Sequence, residues 1–225
     1  MAARLSTIVA RLRTFYGAPA PQLVRDPYRL LLLEHVGYLA SDDERAAAFA
    51  RLESDVGTSP KQIMDASVAA LRRVTRLGGA IAVEDRAERL KVTAARVHER
   101  WGQNLDGLRE LPFDKARGEL KAYPSIGEAG ADRILLLSGF FPALGLDSNA
   151  LRVLQRLGYG REDLPWARAY RQAQAAAAQE LPATIRARQP AFLLLRQHGQ
   201  IICRRMDPEC GRCPIARSCP YPSTR

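Results

Sequence analysis

The sequence predicts an all-α protein. Three observations carry that expectation: apolar residues recur at helical spacing along most of the chain, the segments open at Ser, Thr, Asp or X-Pro signals and close at Gly or Pro, and no stretch alternates apolar and polar residues as a half-buried strand does. Leu5–Phe15 form a first amphipathic helix, stopped by Gly17, Pro19 and Pro21. Asp26 and Pro27 give the cap and first-position signature of a buried helix through Leu30–Leu33. Asp42 is expected to cap the next, which runs through Ala46 and Phe49 to Leu52. Ser59-Pro60 opens a short helix, and Ser67–Leu77 makes another, ended by Gly78-Gly79. Val83–Trp101 is a long amphipathic helix with charges on its outer face. Leu105–Leu111 and Phe113–Ala122 follow, then a sharp Pro-Ser-Ile-Gly turn at 124–127 and helices over 128–139, 148–157, 165–181 and 190–201.

The chain has 225 residues, 47% of them hydrophobic, enough to bury a sizeable core. Its formal charge is +10, with 30 Arg but only 4 Lys. Residues 143–225 hold 13 basic and 6 acidic residues (+7), against 21 and 18 (+3) in residues 1–142. Such a basic C-terminal third suits a polyanion such as nucleic acid, with an anionic membrane surface as the competing partner. The longest uncharged apolar stretch, Ile134–Leu146, is too short to span a bilayer and contains Gly139 and Pro142. The N-terminus lacks the apolar run of a secretory signal, so a soluble, cytoplasmic protein is expected.

All four cysteines, Cys203, Cys210, Cys213 and Cys219, fall within 17 residues, spaced C-x6-C-x2-C-x5-C. A secreted scaffold would spread its cysteines to staple distant segments. Here three short loops, turned by Pro208, Gly211 and Pro214, converge four thiolates on one point. That donor set suits tetrahedral zinc or a cubane iron–sulfur cluster, and the chemistry alone leaves both open.

Leu120–Ala131 reads as two helices joined by a tight turn. The start of the second helix offers backbone N–H groups and a favourable dipole to an anion such as a phosphate. Gly127 permits close backbone approach. This hairpin, Tyr123-Pro124-Ser125-Ile126-Gly127-Glu128-Ala129-Gly130-Ala131, the segment Leu146-Asp147-Ser148-Asn149-Ala150-Leu151-Arg152-Val153 and the cysteine loop with its lead-in Leu193–Gly199 together resemble the helix-hairpin-helix DNA glycosylases, the endonuclease III and adenine DNA glycosylase group.

The resemblance implies two helical lobes with a DNA cleft between them: a barrel of residues 23–142 holding the hairpin, and residues 1–22 with 143–225 carrying a [4Fe–4S] cluster on the four cysteines. It implies phosphate contacts at Tyr123, Pro124, Ser125, Ile126, Gly127 and Ala129. It makes Asp147 the carboxylate that stabilises the developing sugar cation. Asp26-Pro27-Tyr28 through Glu34 is similar to the adenine-glycosylase segment whose Glu protonates the departing purine, so Glu34 is the candidate acid, its pKa expected to be raised by burial. The expected partner is double-stranded DNA with a damaged or mismatched base, extruded from the stack and bound by a monomer.

Three departures shape the expected activity. Ala129 stands where bifunctional members carry the Lys that forms a Schiff base, so base release without strong strand cleavage is expected. Ser125 replaces the first hairpin Gly, which makes any positive φ there costly. After Glu34 the family's Gln is lost, leaving Tyr38 and Leu39 as candidate wedges between bases, or as ordinary core residues. The sequence stops soon after Cys219, so recognition of 8-oxoguanine by an extra domain is not expected. Arg204 and Arg212, with Arg205 and Arg217, give the cysteine loop a basic surface for phosphates. His35, His98 and His198 have no metal spacing, although His198 lies close to the cluster. The alternatives are a catalytically silent iron–sulfur protein that binds lesions, and an endonuclease III with residual lyase activity.

Overall fold

A computed structural model describes residues 4–19, 24–38 and 40–221. Among them the chain forms helices and no strand: α1 (Leu5–Tyr16), α2 (Pro27–Val36), α3 (Asp42–Asp55), α4 (Pro60–Asp65), α5 (Val68–Leu77), α6 (Val83–Trp101), α7 (Phe113–Lys121), α8 (Glu128–Leu137), α9 (Ser148–Arg156), α10 (Trp166–Gln179) and α11 (Ile185–Ile201). The all-α expectation holds, with differences at three places. Ser41 caps α3 instead of Asp42: its hydroxyl accepts the Glu44 N–H while the Glu44 carboxylate accepts the Ser41 N–H at 2.7 Å. This reciprocal box satisfies two orphan donors and leaves Asp42 in the first turn, where the dipole favours it. Residues 106–110 make only a 3₁₀ turn. Helix α11 begins before Pro190, at Ile185, because Thr184 caps it through the Ala187 N–H.

The chain divides into two compact units, Leu23–Gly127 and Met1–Gln22 with Glu128–Arg225. Residues 128–142, expected with the barrel, cluster with the second unit. There α8 packs on α11, the Tyr170 hydroxyl donates to Asp132 Oδ2 at 2.7 Å, and Gly145 lies against the Arg133 backbone, leaving no room for a Cβ.

In the unit of residues 23–127, α6 is the central element, packed by α2, α4 and α5, with α3 laid on α2 and α5. Leu31, Leu32, Leu52, Ile63, Leu71 and Leu90 are fully buried there. Each such side chain contributes about 1.5–3 kcal/mol of apolar burial. His35 is buried against Thr93, its Nε2 2.9 Å from the Thr93 hydroxyl. Burial pushes its pKa down to about 4. Arg86 is buried as well and donates to four carbonyls, Val36 at 2.6 Å, Gly78 and Ile81 at 2.9 Å, and Gly79.

In the other unit α9 and α11 pair most closely, with α1 and α8 on α11 and α10 on α9. Leu5, Ile8 and Leu12 of α1, Leu154 of α9, Tyr170 of α10 and Leu194 and Leu195 of α11 share one core. The α9–α11 approach depends on Gly199, where a Cβ would lie 2.6 Å from the Asn149 carbonyl oxygen. No helix among the described residues is long and apolar enough to cross a membrane.

Candidate functional site

Asp147 is the N-cap of α9, and this local role fixes its carboxylate. Oδ1 accepts the Ala150 N–H at 2.8 Å, while Oδ2 accepts from Arg196 Nε at 3.0 Å. The pair is neither deeply buried nor free in water, with side chains 19% and 24% exposed. Next along the helix, Asn149 accepts from Arg152, whose guanidinium also donates to the carbonyls of Gly199 at 2.7 Å and Cys203 at 2.8 Å. Arg152 thus joins the start of α9 to the end of α11 and the first cysteine. Arg196 escaped sequence reasoning because it lies 49 residues from Asp147, with no local spacing to announce it.

All four cysteines line one cavity of about 110 Å³, closed by Val153, Leu157, Ile202 and Ile215 among others. None is in a disulfide. Among the described residues no three such ligands lie close enough to hold a single metal ion. Burial pushes the Cys213 and Cys219 thiols up. Arg156 donates to Cys203 Sγ at 3.3 Å and to the Arg204 carbonyl at 2.8 Å. His198, buried between Tyr16 and Cys213, has Nδ1 2.9 Å from the Tyr16 hydroxyl and Nε2 3.5 Å from Cys213 Sγ. Arg204 and Arg212, the expected phosphate contacts, both pair with Glu209, at 3.2 and 2.8 Å. Arg205 and Arg217 are exposed beside them.

In the hairpin turn, Tyr123 and Ile126 are buried and the Ile126 N–H donates to the Tyr123 carbonyl at 3.2 Å. Ser125 is exposed and takes φ +58°, so the turn keeps a left-handed residue without the glycine that usually supplies it. Pro124 is half-buried, and Gly127 is exposed with open space where a Cβ would point. Helix α8 begins at Glu128, and its first N–H groups have no acceptor within the helix. Ala129 is buried in the α8–α11 core. Lys121 ends α7, exposed.

Glu34 is less buried than expected: its side chain is 22% exposed, and Oε1 stands 4.0 Å from Arg45 Nη2. The same Arg45 donates to the Gly37 carbonyl at 2.9 Å, anchoring the end of α2. Beyond it Tyr38 is 49% exposed, which excludes a core role. Leu39 lies outside the described residues. The Tyr38 N–H donates to the Gly78 carbonyl at 3.2 Å, and a Cβ on Gly79 would lie 2.9 Å from the Tyr38 carbonyl oxygen. Gly37 and Tyr38 therefore lie beside Gly78 and Gly79, and Ile81, two residues further on, is 52% exposed. Sequence reasoning did not single out Ile81; the signal was a large apolar residue two positions after Gly79 and just before the charged face of α6. Glu34 and Asp147 belong to different units.

No protein-family model matches the chain. An alignment of 150 positions that covers 61% of the chain is 27% identical to DEMETER-like protein 2 of Arabidopsis thaliana and spans only 11% of that protein. Among solved structures, an endonuclease III–DNA complex matches with a TM-score of 0.76 at 18% identity, over 96% of this chain and 93% of that one. A thermostable thymine-DNA glycosylase matches with 0.76 at 21% identity, over 96% and 94%. The 3-methyladenine DNA glycosylase of H. pylori bound to 1,N6-ethenoadenine matches with 0.63 at 18%, over 88% and 95%. The likeness covers nearly all of the chain, and the fold is shared with these endonuclease III and DNA glycosylase structures.

Proposed function

We propose that this protein is a monofunctional DNA glycosylase, hydrolysing the bond between the sugar and an extruded damaged or mismatched base in duplex DNA. The observation that carries the reading is the Asp147 carboxylate, held at the cap of α9, on a fold whose hairpin residue 129 is a buried alanine. All four lysines of the chain fall between residues 61 and 121, so the unit that bears Asp147 contains none.

The chemistry asks for an anion near the sugar and an acid near the base. As the C–N bond breaks, its electron pair leaves with the base, which takes a proton from Glu34. Positive charge develops on the sugar, where the Asp147 carboxylate stabilises it. Water adds its hydroxide to the sugar carbon, and its proton restores Glu34. An abasic site remains, its strand intact. The first turn of α8 and Gly127 receive a backbone phosphate, Arg205 and Arg217 receive others, and Tyr38 and Ile81 enter the gap left by the extruded nucleotide.

The cysteine cavity supports a [4Fe–4S] cluster over zinc. Four Zn–S bonds of about 2.3 Å would draw the sulfurs around one ion, whereas 110 Å³ accommodates a polynuclear core. Cys203, Cys210, Cys213 and Cys219 would hold the cluster, which would then cross-link the end of α11 to the last loop and fix the arginine-bearing segment. Iron and acid-labile sulfide in equal amounts, four of each per chain, are the expected analysis; stoichiometric zinc without iron contradicts this reading.

One observation favours a second reading. Both candidate carboxylates have arginine partners, Arg196 for Asp147 and Arg45 for Glu34, as they would in a protein that binds lesions without releasing bases. A panel of duplexes carrying uracil, oxidised pyrimidines, T·G mismatches or adenine opposite 8-oxoguanine, assayed with and without alkali, separates the readings. Strand breaks only after alkali are expected. Tight binding without breaks identifies the silent reader, and breaks without alkali identify a lyase.

A further inference from the structure

We infer that Arg86 is a positioning residue for base extrusion: its buried guanidinium locks together the two segments that carry Tyr38 and Ile81. The inference rests on the glycosylase reading of those segments as the wedge.

A buried guanidinium needs an acceptor for each of its donors. Arg86 stays protonated and has five N–H donors, each costly to leave unpaired away from water. Among the described residues no carboxylate pairs with it. Four carbonyls do, and they come from three places in the chain: Val36 at the end of α2, Gly78 at the end of α5, and Gly79 and Ile81 in the segment that leads into α6. Val36 and Gly78 close helices, so their carbonyls lie at the negative ends of two helix dipoles. The charge is thereby compensated by backbone alone, and the backbone is pinned in return. Gly78 itself allows this: a Cβ there would lie 2.0 Å from the Val36 carbonyl oxygen.

What is pinned is the base of both exposed tips. Tyr38 is two residues beyond the Val36 carbonyl, and Ile81 supplies one of the four acceptors itself. The two segments also meet directly through the Tyr38 N–H and the Gly78 carbonyl. A wedge must resist the recoil of a base stack, which costs a few kcal/mol per step to open. Two short, exposed apolar side chains on unpinned loops would yield; on loops gripped by one rigid, planar fork they do not. An apolar side chain at position 86 would bring no donors to satisfy, but it would take this partner from the Val36, Gly78, Gly79 and Ile81 carbonyls and so release both segments.

The test compares Arg86→Met, Arg86→Lys, Tyr38→Ala/Ile81→Ala and a stability control, Val97→Ala. The control lies buried on the same helix, about 16 Å from Arg86. Each protein is measured for duplex affinity, for the fluorescence of 2-aminopurine placed beside the target nucleotide, and for single-turnover base release, all below its melting temperature. Arg86→Met is expected to keep duplex affinity, to lose the fluorescence rise, and to slow base release by about 10- to 100-fold, as the wedge double variant does. Arg86→Lys, which reaches some of the carbonyls, is expected to recover part of both signals. If Arg86→Met does not fold, Arg86→Lys against the wild type carries the comparison.

Wild-type fluorescence and rate in Arg86→Met, or in Arg86→Lys where that variant stands in, would overturn the proposal. So would an equal loss in Val97→Ala, which would make the effect one of stability. A wild-type protein that raises the fluorescence but releases no base defeats the glycosylase reading alone; a loss of that rise in the Arg86 variants then still supports the positioning role. A wild-type protein that raises no fluorescence defeats the wedge and the positioning role together.

Discussion

His35 and Asp147 show how one side chain records its surroundings. His35 is buried in the unit of residues 23–127, its pKa brought from 6.5 to about 4 by burial. Above pH 6.5 it is neutral whether the chain is folded or not, and its burial has no pH-dependent cost. Between pH 6.5 and 4 the unfolded chain takes up a proton that the folded chain refuses, so stability falls through that window. The full difference is roughly 3 kcal/mol, with about 2 kcal/mol of it lost by pH 5. Denaturant unfolding at pH 7 and pH 5 should show this loss in the wild type and a shallower one in His35→Gln; equal slopes would refute the assignment. Asp147 was legible in the sequence because capping and chemistry ask for the same residue at the same place. Its partner Arg196 was not, because the ion pair joins two helices that no local pattern relates. Glu34 was legible as a position, but its exposure and its neighbour Arg45 were not, since helical spacing says which face a residue takes and not which arginine folds over it.

At the scale of elements, α9 and α11 carry the arrangement on which Asp147 depends. Their backbones touch at Gly199, where a Cβ would stand 2.6 Å from the Asn149 carbonyl oxygen. Gly199→Ala must push the helices apart and is expected to destabilise the protein by about 1–3 kcal/mol, measured as a lower denaturant midpoint. It should also weaken the Arg152 hydrogen bonds to Gly199 and Cys203 and so slow base release more than Val97→Ala does. An unchanged midpoint would contradict this close approach. Caps and stops made most helices readable: Asp26-Pro27, Ser59-Pro60 and Ser67 all act as the sequence suggests. The misplaced start of α11 reflects Thr184, whose side chain caps a first turn that lies ahead of Pro190. The hairpin shows the converse. Ser125 adopts the left-handed conformation that its side chain disfavours, because the turn between α7 and α8 demands it.

For the whole molecule, the cysteine spacing, the hairpin and the Asp147 segment were enough to foresee the fold, since each is local and they stand in a fixed order. The boundary between units was not foreseen. It depends on α8 burying Ala129, Ala131 and Leu136, with Asp132 bonded to Tyr170, and those partners lie far along the chain. Of the residues proposed as the wedge, Tyr38 was a candidate from the sequence together with Leu39, whereas Ile81 was not, because only the carbonyls bonded to Arg86 relate it to Tyr38. The central claim is that a held carboxylate, without an amine at position 129, releases the base. The most direct measurement is base release and duplex affinity for wild type and Asp147→Asn on the substrate found by the duplex panel, with products analysed before and after alkali. The account predicts base release by the wild type, strand breaks only after alkali, and an Asp147→Asn variant that binds the duplex as tightly but releases no base. Full release by Asp147→Asn, or wild-type strand breaks before alkali is added, would contradict it.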